Sequence, residues 1–166
     1  MTTAKDAATS PDQVWETLRA RVEGSAISDR QLAGNSISLW VDMTPGEQQA
    51  GRTIWLDPSW SIVGPSGVLA GSMQAQDEDD DSGWIAVSNT LDTLVGKTIK
   101  RAEIEPITGD LILRLDGGVI IRTHATDPRE TRHWRIKDYE KHVWVSGSSH
   151  GLSAGVIDPS RSGREE

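Results

Sequence analysis

The sequence predicts an α+β fold: mostly antiparallel β meanders with an N-terminal helix and one short central helix. Three observations carry this. Leu111–His124, LILRLDGGVIIRTH, is two apolar-rich runs flanking Asp116-Gly117-Gly118, the pattern of a β-hairpin. Ser10–Glu23 is a capped, apolar-striped helix. Between and after these, short apolar runs recur between glycine, proline and aspartate turns.

In the hairpin, a three-residue loop sets Leu115 opposite Val119, Leu113 opposite Ile121 and Leu111 opposite Thr123. Side chains alternate along a strand, so these six share one face. A two-residue loop would place Arg122 among the leucines, and burying an unpartnered guanidinium is costly. The three-residue loop is therefore favoured, with Gly118 left-handed. The other face carries Ile112, Arg114, Ile120, Arg122 and His124.

Residues 1–9 read as a flexible N-terminus, and residues 10–73 as a helix plus a first strand group. Ser10 caps the helix, Pro11 suits its first position and Gln13 completes a capping box. Val14, Leu18 and Val22, with Trp15 beside them, form one stripe, and Gly24 is a natural stop. Ile27–Leu32 is ambiguous, whereas Ile37–Asp42 alternates cleanly with Trp40 on the side away from Ile37, Leu39 and Val41. Residues 43–51 read as a turn or surface loop, Arg52–Leu56 as a strand, and residues 60–71 as a hairpin turning at Gly64–Gly67.

Residues 74–83, QAQDEDDDSG, read as an acidic loop, and residues 84–146 as a second strand group with a short helix. Trp84–Val87 is expected to be a short strand and Ser88 to cap the helix, with Leu91, Leu94 and Val95 on one side. Thr98–Ile104, the hairpin, His133–Ile136 and His142–Ser146 complete a meander, and residues 147–166 read as a flexible tail.

Seven Trp, one Tyr and no Phe mean that tryptophan supplies most aromatic packing, with one or two left as exposed anchors. No cysteine is present, which excludes disulfides and thiolate chemistry. No apolar run approaches a membrane span, and the first ten residues lack the apolar core of a signal peptide; the expected location is cytoplasmic. Residues 1–96 hold 5 Lys/Arg against 14 Asp/Glu, a balance of −9, while residues 97–145 hold 10 against 8. The acidic first part argues against a nucleic-acid surface and suits a basic protein partner.

Motifs that would carry chemistry fail on spacing. Counting Asp77 as the first ligand of a calcium loop puts Ser82 where glycine is needed and Ser88 where glutamate is needed. Gly96-Lys97-Thr98 imitates the end of a phosphate loop, but Leu91 stands where a glycine is required. No Gly-x-Ser-x-Gly elbow surrounds Ser66 or Ser149. His124, His133 and His142 are nine residues apart near strand ends, which motivates an alternative reading as a small metal-dependent or ligand-binding enzyme. No catalytic residue, metal ligand or cofactor is assigned.

The run GDLILRLDGGVIIRTHA, Gly109–Ala125, followed by HWRI, His133–Ile136, resembles a pattern in small uncharacterised bacterial strand-rich proteins, some of which are immunity proteins from toxin systems. That resemblance implies a bacterial protein with a binding role and carries no catalytic residue across. The expected function is non-enzymatic protein binding, with an acidic face and Trp anchors occluding a basic toxin surface. The expected contact residues are Trp134, Arg135 and Arg132 in the basic region, Arg114 and Arg122 on the hairpin, and Asp79 and Asp80 in the acidic loop. A homodimer through an exposed strand edge is the alternative assembly.

Overall fold

A computed structural model describes residues 9–43, 51–75, 81–158 and 160. Its elements are helix α1 (Pro11–Val22), strands β1 (Ile27–Ala33), β2 (Ser36–Val41), β3 (Arg52–Leu56), β4 (Trp60–Gly64) and β5 (Gly67–Gly71), and a 3-10 turn at Ser72–Ala75. Helix α2 (Ser82–Asp92) follows, then β6 (Ile99–Ile104), β7 (Leu111–Leu115), β8 (Ile120–Thr123), β9 (Trp134–Asp138), β10 (Val143–Ser148) and β11 (Gly151–Val156). The α+β class, the antiparallel sheets and both helices are as the sequence predicts.

α1 forms where its caps and stripe place it. Ser10 accepts from the Gln13 N–H and Gln13 accepts from the Ser10 N–H, so two N-terminal donors are satisfied reciprocally. Val14, Trp15, Leu18 and Val22 are buried, and full burial of one such aliphatic chain contributes about 1.5–3 kcal/mol. The hairpin keeps the predicted register: Leu113 faces Ile121, and the Leu115 N–H donates to the Val119 carbonyl at 2.8 Å. Gly118 is left-handed as expected, and Gly117 joins it, both at φ +74°.

The strands fall into two sheets. One runs β1-β2-β3-β9-β10-β11 and the other β5-β4-β8-β7-β6. The chain enters the first sheet with β1–β3, crosses to the second for β4–β8, and returns for β9–β11. β3 pairs with β9, and β4 pairs with β8. The strands after residue 84 are therefore not one meander: they divide between β8 and β9, where a long polar loop lets the chain change sheets. At the crossover the Asp57 N–H donates to His133 O at 2.9 Å, and the His124 N–H donates to Ser59 O at 2.8 Å. The buried faces of both sheets, α1 and α2 contribute to a single apolar cluster.

Two segments differ from expectation. Trp84–Val87 is helical, not a strand, and α2 begins beyond Asp81 instead of at Ser88. The apolar spacing Val87–Leu91–Leu94 is a helical period that already covers this stretch, and only a glycine at 83 fits against the Gln74 carbonyl. The expected flexible tail contains β11, which pairs along its length with β10. Its small side chains suit close packing, and a Cβ at Gly155 would lie 2.7 Å from the Trp144 ring.

Beneath the C-terminal end of α1 lies a charge cluster. The Asp138 carboxylate, fully buried, receives the Arg21 Nε–H and both the Glu140 and Lys141 N–H groups. Arg52, also buried, lies 4.0 Å from Asp138 and pairs with Asp42 at 2.7 Å. The hydrogen bond to Asp138 holds the Arg21 guanidinium above its ordinary range. The cluster ties α1 to β3 and β9.

Candidate docking surface and crossover pocket

The residues expected to form one contact surface are separated by the fold. Trp134 is not a surface anchor. Strand alternation sends Trp134, Ile136 and Asp138 into the core and Arg135 and Lys137 to the opposite face of β9. The Trp134 ring meets Trp15 edge-on at 5.7 Å, its Nε1–H donates to Gly109 O at 2.8 Å, and it packs over Gly147. Arg114 and Arg122 lie on the outward face of the five-stranded sheet, where Arg114 pairs with Glu103 at 2.9 Å. Arg132 and Arg135 come together beside the six-stranded sheet. Asp79 and Asp80 lie outside the described residues.

The histidines do not converge. His124 bonds the Ser61 hydroxyl at 2.8 Å on the five-stranded sheet. His133 and His142 flank the two ends of β9, a separation of roughly 17 Å at the rise of a strand. Among the described residues no cluster of three or more His, Asp or Glu is disposed to hold a metal ion. No helix among them is long and apolar enough to cross a membrane.

Two features stand out instead. The first is apolar. Val68 (73% exposed) and Leu69 (46%) on β5, Met73 (67%) on the 3-10 turn, and Trp84 (42%) and Ile85 (51%) on α2 are large side chains left in water. The three elements pack against one another, so these are not scattered residues. β5 is an edge strand, and its register against β4 shifts between Ile62 and Val63, which makes Leu69 an additional residue. Such a bulge re-aims side chains at a sheet edge. Here Leu69 rests over Gly64, where a Cβ would lie 3.2 Å from its Cδ1. Large apolar side chains exposed on neighbouring elements in this way are candidate interaction sites. The sequence joining the 3-10 turn to α2 contains Asp77, Glu78, Asp79, Asp80 and Asp81.

The second feature is polar. A cavity of about 570 Å³ opens at the crossover, lined by Asp57, Pro58, Arg135 and the Arg129–Arg132 segment. Asp57 is held by the Trp55 Nε1–H at 2.7 Å and the Ser36 hydroxyl at 3.3 Å, and it accepts from Arg132 Nε at 3.2 Å. Arg129 is held by Asp127 through two bonds of 3.0 Å, which keep the Asp127 carboxyl below the usual carboxylate range. The guanidinium of Arg135 lies 4.7 Å above the Trp144 ring. Trp40, Trp55 and Trp144, all half-buried, share this outward face of the six-stranded sheet with Arg135 and Lys137. The buried His133 has Nδ1 3.2 Å from the Glu130 carboxylate.

Sequence reasoning missed the apolar surface. Its signals were the adjacent pair Val68-Leu69 and the helical period through Trp84 and Ile85. Compared with known proteins, the chain matches no family model, no curated protein and no solved structure.

Proposed function

We propose that this chain is a non-enzymatic protein-binding protein, and that β5, the Ser72–Ala75 turn and α2 dock a basic, amphipathic segment of its partner. The observation that carries this is the cluster of Val68, Leu69, Met73, Trp84 and Ile85, large apolar side chains exposed on three packed elements. Charge selects the occupant. The acidic run Asp77–Asp81 joins the two elements that expose Met73 and Trp84, and residues 1–96 carry a balance of −9. A second copy of the chain would carry the same acidic balance, and like charges brought together disfavour that pairing. A basic partner gains from the same field, with faster encounter at low salt. Occlusion of a basic toxin surface, as an immunity protein would do, is the form of this role that the charge balance favours.

The test is a titration of the full chain with an amphipathic Lys/Leu peptide, with a Glu/Leu peptide as control. Backbone chemical-shift changes in residues 67–75 and 82–92 report binding. Saturable binding of the Lys/Leu peptide, weakened by salt and lost in Trp84→Ser and Ile85→Ser, is the expected result. Equal binding of both peptides, or binding unchanged in both variants, refutes the assignment. A concentration-dependent dimer abolished by the same variants would replace it with self-association.

A further inference from the structure

The crossover cavity lies apart from the apolar surface and calls for a different ligand. Three guanidiniums, those of Arg129, Arg132 and Arg135, line it against two carboxylates, Asp57 and Glu130, in a chain whose net charge is −8. Asp57 is turned toward Arg132 by Trp55 and Ser36, which come from β3 and β2. Arg132 spends only its Nε on Asp57, and among the described residues its two terminal nitrogens have no protein partner. Arg129 likewise commits Nε and Nη2 to Asp127. Glu130 lies 3.2 Å from His133 Nδ1 without a hydrogen bond and remains part of the lining. The result is a guanidinium fixed from behind, with its outer donors beside an open, polar groove of about 570 Å³.

We propose that this cavity binds the oxyanion of a small molecule, a phosphate or a carboxylate, received by the outer nitrogens of Arg132 with Arg129 and Arg135 at its flanks. A guanidinium fork matches both groups, because two parallel N–H donors meet two oxygens. Asp57 acts as a positioning residue: it holds the Nε edge and so directs the outer donors. Trp55 and Trp144 border the same face, so a planar body attached to the anion finds aromatic surface next to the charge.

The experiment is a ¹⁵N–¹H NMR titration of the full chain with inorganic phosphate and, separately, acetate, each against chloride at equal ionic strength. The Trp55 indole N–H, bonded to Asp57, is the local reporter. Saturable shifts at Trp55 and residues 129–135 with at least one oxyanion, absent with chloride, are expected, and the tighter anion identifies the group carried by the natural ligand. Arg132→Gln should weaken that binding by about tenfold or more, the loss of charge-assisted hydrogen bonds. Arg132→Lys, which keeps the charge but not the fork, should weaken it less. Asp57→Asn should weaken it, and Arg114→Gln on the other sheet should leave it unchanged. Equal shifts with chloride, no saturable shift with either oxyanion, or undiminished affinity in both Arg132 variants would overturn the site.

Discussion

Gly147→Ala is a single added methyl group directed at the fully buried Trp134 ring. Gly147 pairs across the ladder with Trp134, and its Cβ would stand 2.5 Å from the Trp134 Nε1. Carbon and nitrogen at van der Waals contact need about 3.5 Å, so the ring must retreat by roughly an ångström. It has no easy path. Trp134 is fully buried, Trp15 stands against it at 5.7 Å, and its indole N–H is bonded to Gly109 O at 2.8 Å. Overpacking a filled core costs about 1–3 kcal/mol. Loss of the indole hydrogen bond adds about 0.5–1.5 kcal/mol. A total of about 2–4 kcal/mol corresponds to a fall in Tm of roughly 5–15 °C for a chain of this size. Calorimetry or thermal circular dichroism reads this directly. The same substitution made in a Trp134→Leu background should cost less by about 1 kcal/mol or more, because the two residues share one space. An unchanged Tm for Gly147→Ala, or an equal cost in both backgrounds, would refute the packing argument and reopen Trp134 as a mobile, surface-accessible ring.

Three further outcomes follow from the same structure. Asp138→Ala removes the buried partner of Arg21 and frees the N–H groups of Glu140 and Lys141, while Arg52 keeps Asp42; unfolding in urea should show a loss of about 1–3 kcal/mol. Ser10→Ala removes one half of the capping box, and the same assay should show a loss of about 1 kcal/mol. Glu105 accepts from the Thr108 N–H and hydroxyl and from the Ile107 N–H, and these bonds hold its carboxyl below the ordinary range. Its folded pKa is depressed, so its contribution to stability is full above the unfolded value of about 4.3 and is lost as pH falls through the folded value. Glu105→Gln should accordingly flatten the acid limb of a stability–pH curve, and an acid limb identical to that of the parent protein would contradict the role of those bonds.

Local structure was legible in the sequence wherever neighbours along the chain decide it. The hairpin register followed from the need to keep Arg122 out of the leucine face, and α1 followed from Ser10, Gln13 and a four-residue stripe. What the sequence left hidden depends on distant pairing. Nothing local says that β3 pairs with β9 or that Arg132 reaches Asp57, 75 residues away. The bulge at Leu69 is hidden for the same reason, since a register shift is a property of two strands together. The burial of Trp134 is legible locally: in Trp134–Asp138 the apolar and basic residues alternate, which separates Trp134 and Ile136 from Arg135 and Lys137. Of the two sites, the charge of the acidic run and the basic character of residues 129–137 were visible, but the surfaces beside them were not.

Hydrogen exchange on the full chain, with and without the Lys/Leu peptide, reads whether β5, the Ser72–Ala75 turn and α2 dock a basic partner. Added protection is expected on residues 67–75 and 82–92, with the crossover segment 127–135 spared. Protection confined to the crossover segment or the outward face of the six-stranded sheet, or none at all under conditions where the peptide is bound, would contradict that docking.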